Sequence, residues 1–561
     1  MRFFFLTLFF CLLTIHARAD FSPQEDQAWP IEGLSNPYDI SQDQFFPVMR
    51  KGRIHALQYP VEVTGLKIPY NPTKEIFDDI TYNPFRWIAQ KMARRFAGVK
   101  SYDELMAWLG LNQYPQEEGD GPYYIPFPDG TRPSYRMGES FYDTENGKAF
   151  SLSCVACHSA NLFGRPVLGL TNKRTRANEF MRRGVSMMKK GNSQLFAGVT
   201  SADRGERRMY TQTKKNAWFV ESRTPSMLGL DTSLAHVALS LSHREKSAWA
   251  EKTKTFKRRP REEKLRDFVA DSKPMPWWNV KYKNKWLSDG SVVAGNPILT
   301  NILWNEIGRG TDLQKLDQWF SDNGTKIKEL TTAVFSAVAP RWTDYFPAES
   351  LDLDKAIKGQ ALFKRSCTKC HGDYLKSWEE KELSSQDFDH PEKSLFETKK
   401  VKYFKNTFVR DVGTDPQRWQ GMSSLLQLND LELSKKHGIK IKLQKGYVPP
   451  PLVGIWSRWP YMHNNSMGSL CEVLTVSSDR SKTFWTGPAL DQNLDFDSSC
   501  VGFPKEEDVP QEWTQNRENL YDTSRSGQSN SGHDERIFIR EGREIYSRDQ
   551  KMQIIEFLKT L

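Results

Sequence analysis

Cysteine and histidine recur in one pattern, C-x-x-C-H, at two places in the chain, Cys154 to His158 and Cys367 to His371. In this pattern the two thiols bond to the vinyl groups of a haem, and the adjacent histidine becomes the proximal ligand of its iron. The two motifs use four of the seven cysteines. They predict two covalently bound haem c groups, held by Cys154, Cys157, His158, Cys367, Cys370 and His371.

The ligand on the other side of each iron decides what a haem can do. Two strong protein ligands favour electron transfer, whereas an open position binds O2 or peroxide. For the second haem we expect His533, which lies in a Gly/Ser-rich loop just before the C-terminal helix. The alternative is His463, whose imidazole could instead hydrogen-bond a haem propionate. Three methionines are lesser candidates for the same position: Met422, Met462 and Met467.

No distal ligand of the first haem stands out in the sequence. His236 and His243 both belong to a segment, 233–243, that is predicted to be helical, and their spacing places them near one face. Met187 and Met188 are further candidates. Two interpretations stay open, an open apolar pocket and an ordinary axial Met or His.

An aromatic pair, Trp277 and Trp278, supplies the candidate catalytic residues. The two indoles could line a distal pocket or relay electrons between haem and surface. Aromatic pairs more often belong to the hydrophobic core, which is the competing interpretation.

The elements that must position these residues predict a mostly α-helical protein. A helix over 354–365 leads into the second motif, and Gly359 within it allows close helix contact. A second amphipathic helix is predicted at the C-terminus. A helix before C-x-x-C-H that is crossed by a C-terminal helix is similar to the class I cytochrome c fold. We therefore expect two such haem domains, over 135–345 and 346–561, with long loop-rich insertions and an N-terminal extension over 20–134.

The first 19 residues have the features of a secretory signal: a basic start at Arg2, an apolar stretch, and small residues before a cleavage site near Ala19. The apolar stretch is too short for a stable transmembrane helix, and no later segment approaches the length that one needs. We predict a periplasmic or secreted protein without a membrane span. An oxidising compartment also favours a disulfide between Cys471 and Cys500.

The charge is moderately basic, with 79 Lys and Arg against 69 Asp and Glu. The excess is concentrated in two clusters, Lys173 to Lys190 and Lys252 to Arg266. An exported haem protein is not expected to bind nucleic acid. A docking face for an acidic redox partner would use such a cluster for steering, while solvated helix faces are the plainer interpretation.

Several short motifs extend the pattern beyond the haem signals. Val453 to Trp456 is followed by Pro460 to Asn464, and further motifs occupy 276–278, 411–416, 484–487, 501–503 and 530–533. In this order they resemble the di-haem cytochromes related to rubber oxygenases and, more distantly, the di-haem cytochrome c peroxidases and methylamine-utilisation di-haem enzymes. The resemblance covers roughly 151–561 and implies bis-histidine ligation of the C-terminal haem, which again favours His533. Asn465, the segment 467–469 and the Cys471/Cys500 pair depart from the pattern.

Taken together, the sequence predicts haem-mediated electron transfer. The preferred hypothesis is an oxygenase- or peroxidase-like oxidoreductase that activates O2 or peroxide at the first haem, with the second haem as electron relay. One alternative is a non-catalytic electron-transfer cytochrome that serves a redox partner protein. The other is a haem protein that binds small gases.

Overall fold

The computed structural model describes residues 23–28, 38, 40–78 and 83–561, so the predicted signal segment lies outside the described residues. Its α-helices are α1 Gln42–Gln58, α2 Tyr70–Asp78, α3 Pro84–Ala97, α4 Tyr102–Trp108, α5 Ala177–Lys190, α6 Ser193–Val199, α7 Arg204–Ala217, α8 Ser233–Ser242, α9 Lys254–Arg258, α10 Pro297–Gly308, α11 Leu313–Asp322, α12 Gly324–Phe335, α13 Leu353–Ser366, α14 Thr368–His371, α15 Ser385–Asp389, α16 Gln417–Gly421, α17 Glu432–Lys436, α18 Leu470–Val473, α19 Gln511–Thr514 and α20 Arg548–Lys559. Its strands are β1 Pro23–Ala28, β2 Ile68–Pro69, β3 Glu139–Thr144, β4 Gly147–Leu152, β5 Ser159–Leu162, β6 Arg165–Leu168, β7 Val292–Ala294, β8 Asp373–Lys376, β9 Thr398–Phe404, β10 Lys440–Ile441, β11 Thr483–Trp485, β12 Leu520–Asp522, β13 Ile539–Arg540 and β14 Arg543–Glu544.

The strands form small sheets between the helices, which agrees with the predicted mostly α-helical class. Two sheets have three strands, in the orders β2-β4-β3 and β1-β9-β8, and four sheets have two strands. In the first sheet β3 and β4 pair antiparallel, with Phe141 opposite Phe150. This sheet leads directly into the first C-x-x-C-H motif, because β4 ends two residues before Cys154.

Helices α13 and α20 cross closely just before the second motif. The carboxylate of Asp352 caps α13 by accepting from the Lys355 amide at 2.9 Å. At the crossing a Cβ on Gly359 would lie 1.9 Å from the Gln553 carbonyl oxygen, so only glycine fits there. Phe363 packs on Phe557 with ring centroids 5.2 Å apart. Both predicted helices and the proposed role of Gly359 are confirmed.

A second helix pair, α1 and α12, also approaches closely at a glycine. A Cβ on Gly52 of α1 would lie 1.9 Å from the Glu329 carbonyl oxygen of α12. The pair is further joined by His55, whose Nε2 lies 2.9 Å from a carboxylate oxygen of Glu329. Helix α1 belongs to the segment predicted as an N-terminal extension, so part of that segment packs as one half of a close helix pair.

One large buried cluster runs through the molecule and includes four fully or nearly fully buried tryptophans: Trp278, Trp342, Trp456 and Trp459. The predicted disulfide is present between Cys471 and Cys500, whose Cα atoms are 5.1 Å apart. It joins the start of α18 to a loop 29 residues later. Among the described residues, no helix has the length and apolarity that a membrane crossing needs.

Candidate haem sites

The second motif is positioned by the close helix pair. Helix α13 ends at Ser366, Cys367 follows it, and α14 carries the motif to His371. The His371 Nδ1 lies 2.8 Å from the Pro450 carbonyl oxygen. A hydrogen bond at Nδ1 leaves Nε2 available for a metal, the usual arrangement of a ligating histidine. The Tyr374 hydroxyl holds the same loop by donating to the His371 carbonyl at 2.8 Å.

His533 faces His371 across this site. Their ring centroids are 6.2 Å apart. Two imidazoles that each place a nitrogen about 2 Å from one metal would have centroids roughly 6 Å apart, so the spacing suits a six-coordinate iron. Burial lowers the pKa of each imidazole to about 4, so both are neutral at pH 7, as iron ligation requires. The loop of His533 is held by its own amide, which donates to the Val412 carbonyl at 2.9 Å.

The alternative ligand, His463, makes different contacts. Its ring stacks on Tyr447 with centroids 3.8 Å apart, and burial, together with the charge of Arg418, lowers its pKa to about 3. Of the candidate methionines, Met422 and Met467 are buried in the core, and Met462 lines the same cavity as His463. Among the described residues, His533 is therefore the imidazole placed against His371.

The first motif is positioned by strands and backbone hydrogen bonds. Cys154 to Ala156 form a single helical turn after β4. The Asn172 amide group donates to the Ala156 carbonyl at 2.9 Å, and the Asn172 backbone amide donates to the Cys157 carbonyl at 3.0 Å. The Gly169 amide donates to the His158 carbonyl at 2.8 Å. These contacts fix the turn without the helix pair that precedes the second motif.

His158 carries an unused nitrogen. Its Nδ1 is buried and has no hydrogen-bond partner among the described residues. Burial lowers the pKa of the imidazole to about 4. A buried nitrogen without a protein partner costs free energy unless an ordered water engages it. His158 thus lacks the Nδ1 contact that His371 makes with the Pro450 carbonyl.

The structure corrects the four candidate distal ligands of the first haem. His236 Nε2 lies 2.8 Å from the Gly308 carbonyl oxygen, and His243 Nε2 lies 2.9 Å from the Glu221 carboxylate. Met187 is exposed, and Met188 packs in a small satellite cluster with Val185. These four side chains do not line the cavity that reaches both C-x-x-C-H motifs. Helical spacing correctly places His236 on α8, whereas His243 caps the end of that helix, and both rings contact polar partners outside the cavity.

The two tryptophans have different surroundings. Trp277 lines the cavity, and its ring centroid is 5.9 Å from that of His158. Its backbone amide donates to the Gly169 carbonyl at 2.9 Å, so Gly169 connects both residues. Trp278 is fully buried, and its Nε1 donates to the Val453 carbonyl at 3.0 Å. Of the pair, Trp277 is at the candidate site and Trp278 belongs to the core.

One cavity of about 440 Å³ reaches both motifs. Its lining includes Cys154, His158, Trp277, Cys367, Cys370, His371 and His533. The four motif cysteines are free thiols, although Cys471 and Cys500 are paired. Burial raises the pKa of Cys154 to about 11 and that of Cys367 to about 12. Unpaired thiols beside a histidine in a shared cavity are the chemistry that thioether attachment of haem requires.

The cavity lining is rich in basic residues. It contains one carboxylate, Asp231, and six basic side chains: Lys273, Lys283, Lys369, Arg410, Arg418 and Arg458. Burial lowers the pKa of Lys283 to about 7 and that of Arg458 to about 10. Buried cations without enough carboxylate partners are costly, and the two propionates of each haem would balance them. Sequence reasoning missed this cluster because its members come from distant segments.

Several side chains of the basic cluster Lys173 to Lys190 form contacts within the molecule. Lys173 is buried with its Nζ 2.8 Å from the Trp459 ring centroid. Arg176 forms an ion pair with Glu518 at 2.7 Å, and Arg183 pairs with Glu179 at 2.5 Å. Three basic side chains of this cluster are therefore engaged within the molecule.

Comparison with known proteins supports the haem assignment. A family model described as RoxA-like, cytochrome c-like matches residues 446–486. The match supports a cytochrome c of the RoxA-like group, and a cytochrome c-like domain implies covalently bound haem c. The matched segment includes Pro450, whose carbonyl contacts His371, and the cavity-lining residues Arg458 and His463.

Two uncharacterized proteins of Sinorhizobium fredii (strain NBRC 101917 / NGR234) are similar to this chain. Protein y4iJ is 25% identical over 269 residues, which cover 40% of this chain and 41% of that protein. Protein y4iM is 23% identical over 219 residues, which cover 34% of this chain and 43% of that protein. The chain thus spans less than half the length of the curated relatives it matches.

Proposed function

We propose that the chain is an exported di-haem cytochrome c in which the two haems have different tasks. The haem of His371 stores or relays electrons, and the haem of His158 activates O2 or peroxide. The RoxA-like match and the cavity chemistry support haem-based redox function in general. The division of tasks is inferred from the geometry of the two sites.

Two haems are supported by two equivalent helix crossings. A Cβ added at Gly359 would lie 1.9 Å from the Gln553 carbonyl oxygen, and a Cβ added at Gly52 would lie 1.9 Å from the Glu329 carbonyl oxygen. Each crossing lies beside one of the two C-x-x-C-H motifs, because α1 packs against the Cys154–Ala156 turn and α13 leads directly into the second motif. A repeated crossing beside a repeated attachment motif is the arrangement expected of two haem units.

The difference between the two sites is the observation that carries the division of tasks. His371 faces a second imidazole, His533, at 6.2 Å. His158 faces the indole of Trp277 at 5.9 Å, and indole is not an iron ligand. The other histidines among the described residues are engaged elsewhere or exposed, and His463, the one that lines the cavity, stacks on Tyr447.

A haem with an open position supplies reversible binding and reduction of O2 or peroxide. At the first site the protein's own residues orient the His158 imidazole and exclude water from the cavity. The turn held by Asn172 and Gly169 fixes the direction of His158. Trp277 covers one wall of the cavity with apolar surface.

The competing function is electron transfer without catalysis. It is favoured by two thioethers, Met275 and Met462, which line the same cavity. A methionine sulfur bound to the first iron would close its open position and raise its reduction potential. Under this function both haems are six-coordinate.

Electron paramagnetic resonance of the oxidised holoprotein tests the proposal. We expect one low-spin signal of bis-histidine type and one high-spin signal in equal amounts. The variant H533A should lose the low-spin signal and roughly double the high-spin signal, because the second iron loses its sixth ligand. Two low-spin signals in the unmodified protein would contradict the proposal. If M275L or M462L then converted one of them to high spin, the electron-transfer function would be supported.

The reaction is tested by mixing the reduced holoprotein with O2 or peroxide. Oxidation should begin at the His158 haem and reach the His371 haem afterwards, which is visible as two Soret phases. Cell fractionation of the full chain tests export, because covalent haem should be confined to the exported fraction.

A further inference from the structure

Helix α3 presents an unusual exposed face. Its sidechain exposures are 78% for Phe85, 52% for Trp87, 49% for Ile88 and 68% for Met92. Phe85, Ile88 and Met92 recur at helical spacing, so they lie along one side of the helix. Large apolar residues that are exposed singly need no explanation, but four within two turns form a contiguous patch.

The inner side of the same helix is well anchored, so the exposed face is fixed in place. Asn83 caps α3 by accepting from the Phe85 amide at 3.0 Å, and Gly98 ends it in the left-handed conformation. The buried Gln90 donates its side-chain amide to the Glu75 carbonyl at 2.9 Å. Glu75 also pairs with Arg86 at 3.5 Å. The neighbouring helix α6 packs against α3 and adds Leu195, which is 60% exposed.

The charge of α3 has one sign. It contains four cations, Arg86, Lys91, Arg94 and Arg95, and no Asp or Glu. Lys91 lies over the Trp87 ring, with Nζ 4.9 Å from the centroid. Lys91 and Arg95 are exposed on the same side as the apolar residues. A surface helix with Trp, Phe and Ile beside Lys and Arg has the composition of helices that lie in the interface of a bilayer.

We propose that α3 docks the protein on an anionic phospholipid surface. The apolar side chains enter the boundary between headgroups and acyl chains, and Lys91 and Arg95 contact the phosphates. The charge decides between occupants, because a second copy of this face would bring like charges together, whereas an anionic bilayer complements them. The proposal is independent of which haem reacts.

Vesicle flotation of the holoprotein tests the proposal. The protein should float with vesicles that contain phosphatidylglycerol, less with pure phosphatidylcholine vesicles, and less again at high salt. The double variant F85S/M92S should bind at least ten-fold more weakly. K91Q/R95Q should lose about 30-fold on anionic vesicles, since each of the two cations near such a surface contributes a factor of about five, and should change little on neutral ones. The matched control is L490S/L494S, which removes two leucines of similar exposure, 59% and 65%, far along the chain.

Three results would overturn the proposal. The first is no flotation of the unmodified protein with anionic vesicles. The second is a loss of vesicle binding in the L490S/L494S control equal to that in F85S/M92S. The third is a dimer by sedimentation velocity that F85S/M92S converts to monomer, which would make this face an interface between copies. All these side chains are exposed, so circular dichroism and haem content should be unchanged in every variant.

Discussion

Replacing Gly359 by alanine tests whether the close helix crossing supports the second haem site. The added Cβ would lie 1.9 Å from the Gln553 carbonyl oxygen, and ordinary contact begins at 3.4 Å. The helices must therefore separate by about 1.5 Å at their crossing, because a backbone carbonyl in a helix cannot turn away. Phe363 and Phe557 then lose part of their contact. Overpacking of this kind costs ~1–3 kcal/mol, against ~0.5–1 kcal/mol gained from alanine's helix preference.

We expect a net loss of about 1 kcal/mol, measured by guanidinium unfolding with the Soret band of each haem as the probe. The effect should be selective: G359A disturbs the His371 haem, and G52A disturbs the His158 haem. The matched control is G184A in α5, where an added Cβ meets nothing within 4 Å. This control should be neutral or slightly stabilised. An unfolding midpoint of G359A equal to that of G184A would refute the reasoning.

Other predictions follow from single contacts. The variant C471S/C500S should lose about 3–4 kcal/mol of unfolding free energy in denaturation experiments, because the disulfide closes a loop of 29 residues. Burial raises the pKa of Glu139 from 4.5 to about 7. The stabilisation is therefore fully present below about pH 4.5 and is lost as pH rises through about 7, where the folded carboxyl gives up its proton. E139Q should therefore match the unmodified protein at pH 4 and exceed it by about 3 kcal/mol at pH 8; an equal gain at both pH values would contradict this. W278F should destabilise by ~1–3 kcal/mol because the buried Val453 carbonyl loses its donor, with unchanged haem spectra. W277F should alter the spectrum of the first haem, and an unaltered spectrum would remove Trp277 from the site.

The second haem region could be predicted closely because its signals are local. The helix predicted over 354–365 is Leu353–Ser366, and the terminal helix and the role of Gly359 are also confirmed. The pairing of Cys471 with Cys500, which was expected from the predicted export and the count of cysteines, is present. His533 was the preferred ligand, and the structure places it against His371.

The first haem region depended on contacts between distant segments. Helix α1 ends at Gln58, which is 96 residues before Cys154, and its partner α12 begins at Gly324. No local pattern connects them to the motif, so α1 was assigned to an extension. His236 and His243 were candidates because their spacing is helical. Spacing cannot show that one contacts the Gly308 carbonyl and the other contacts Glu221.

The central claim is that the His158 haem is open and the His371 haem is closed by His533. A carbon monoxide titration of the fully reduced holoprotein, with haem content quantified, tests it most directly. The account predicts about one CO for every two haems in the unmodified protein, and close to two in H533A, because that variant opens the second iron. Binding of no CO to the unmodified protein, or an unchanged stoichiometry in H533A, would contradict it.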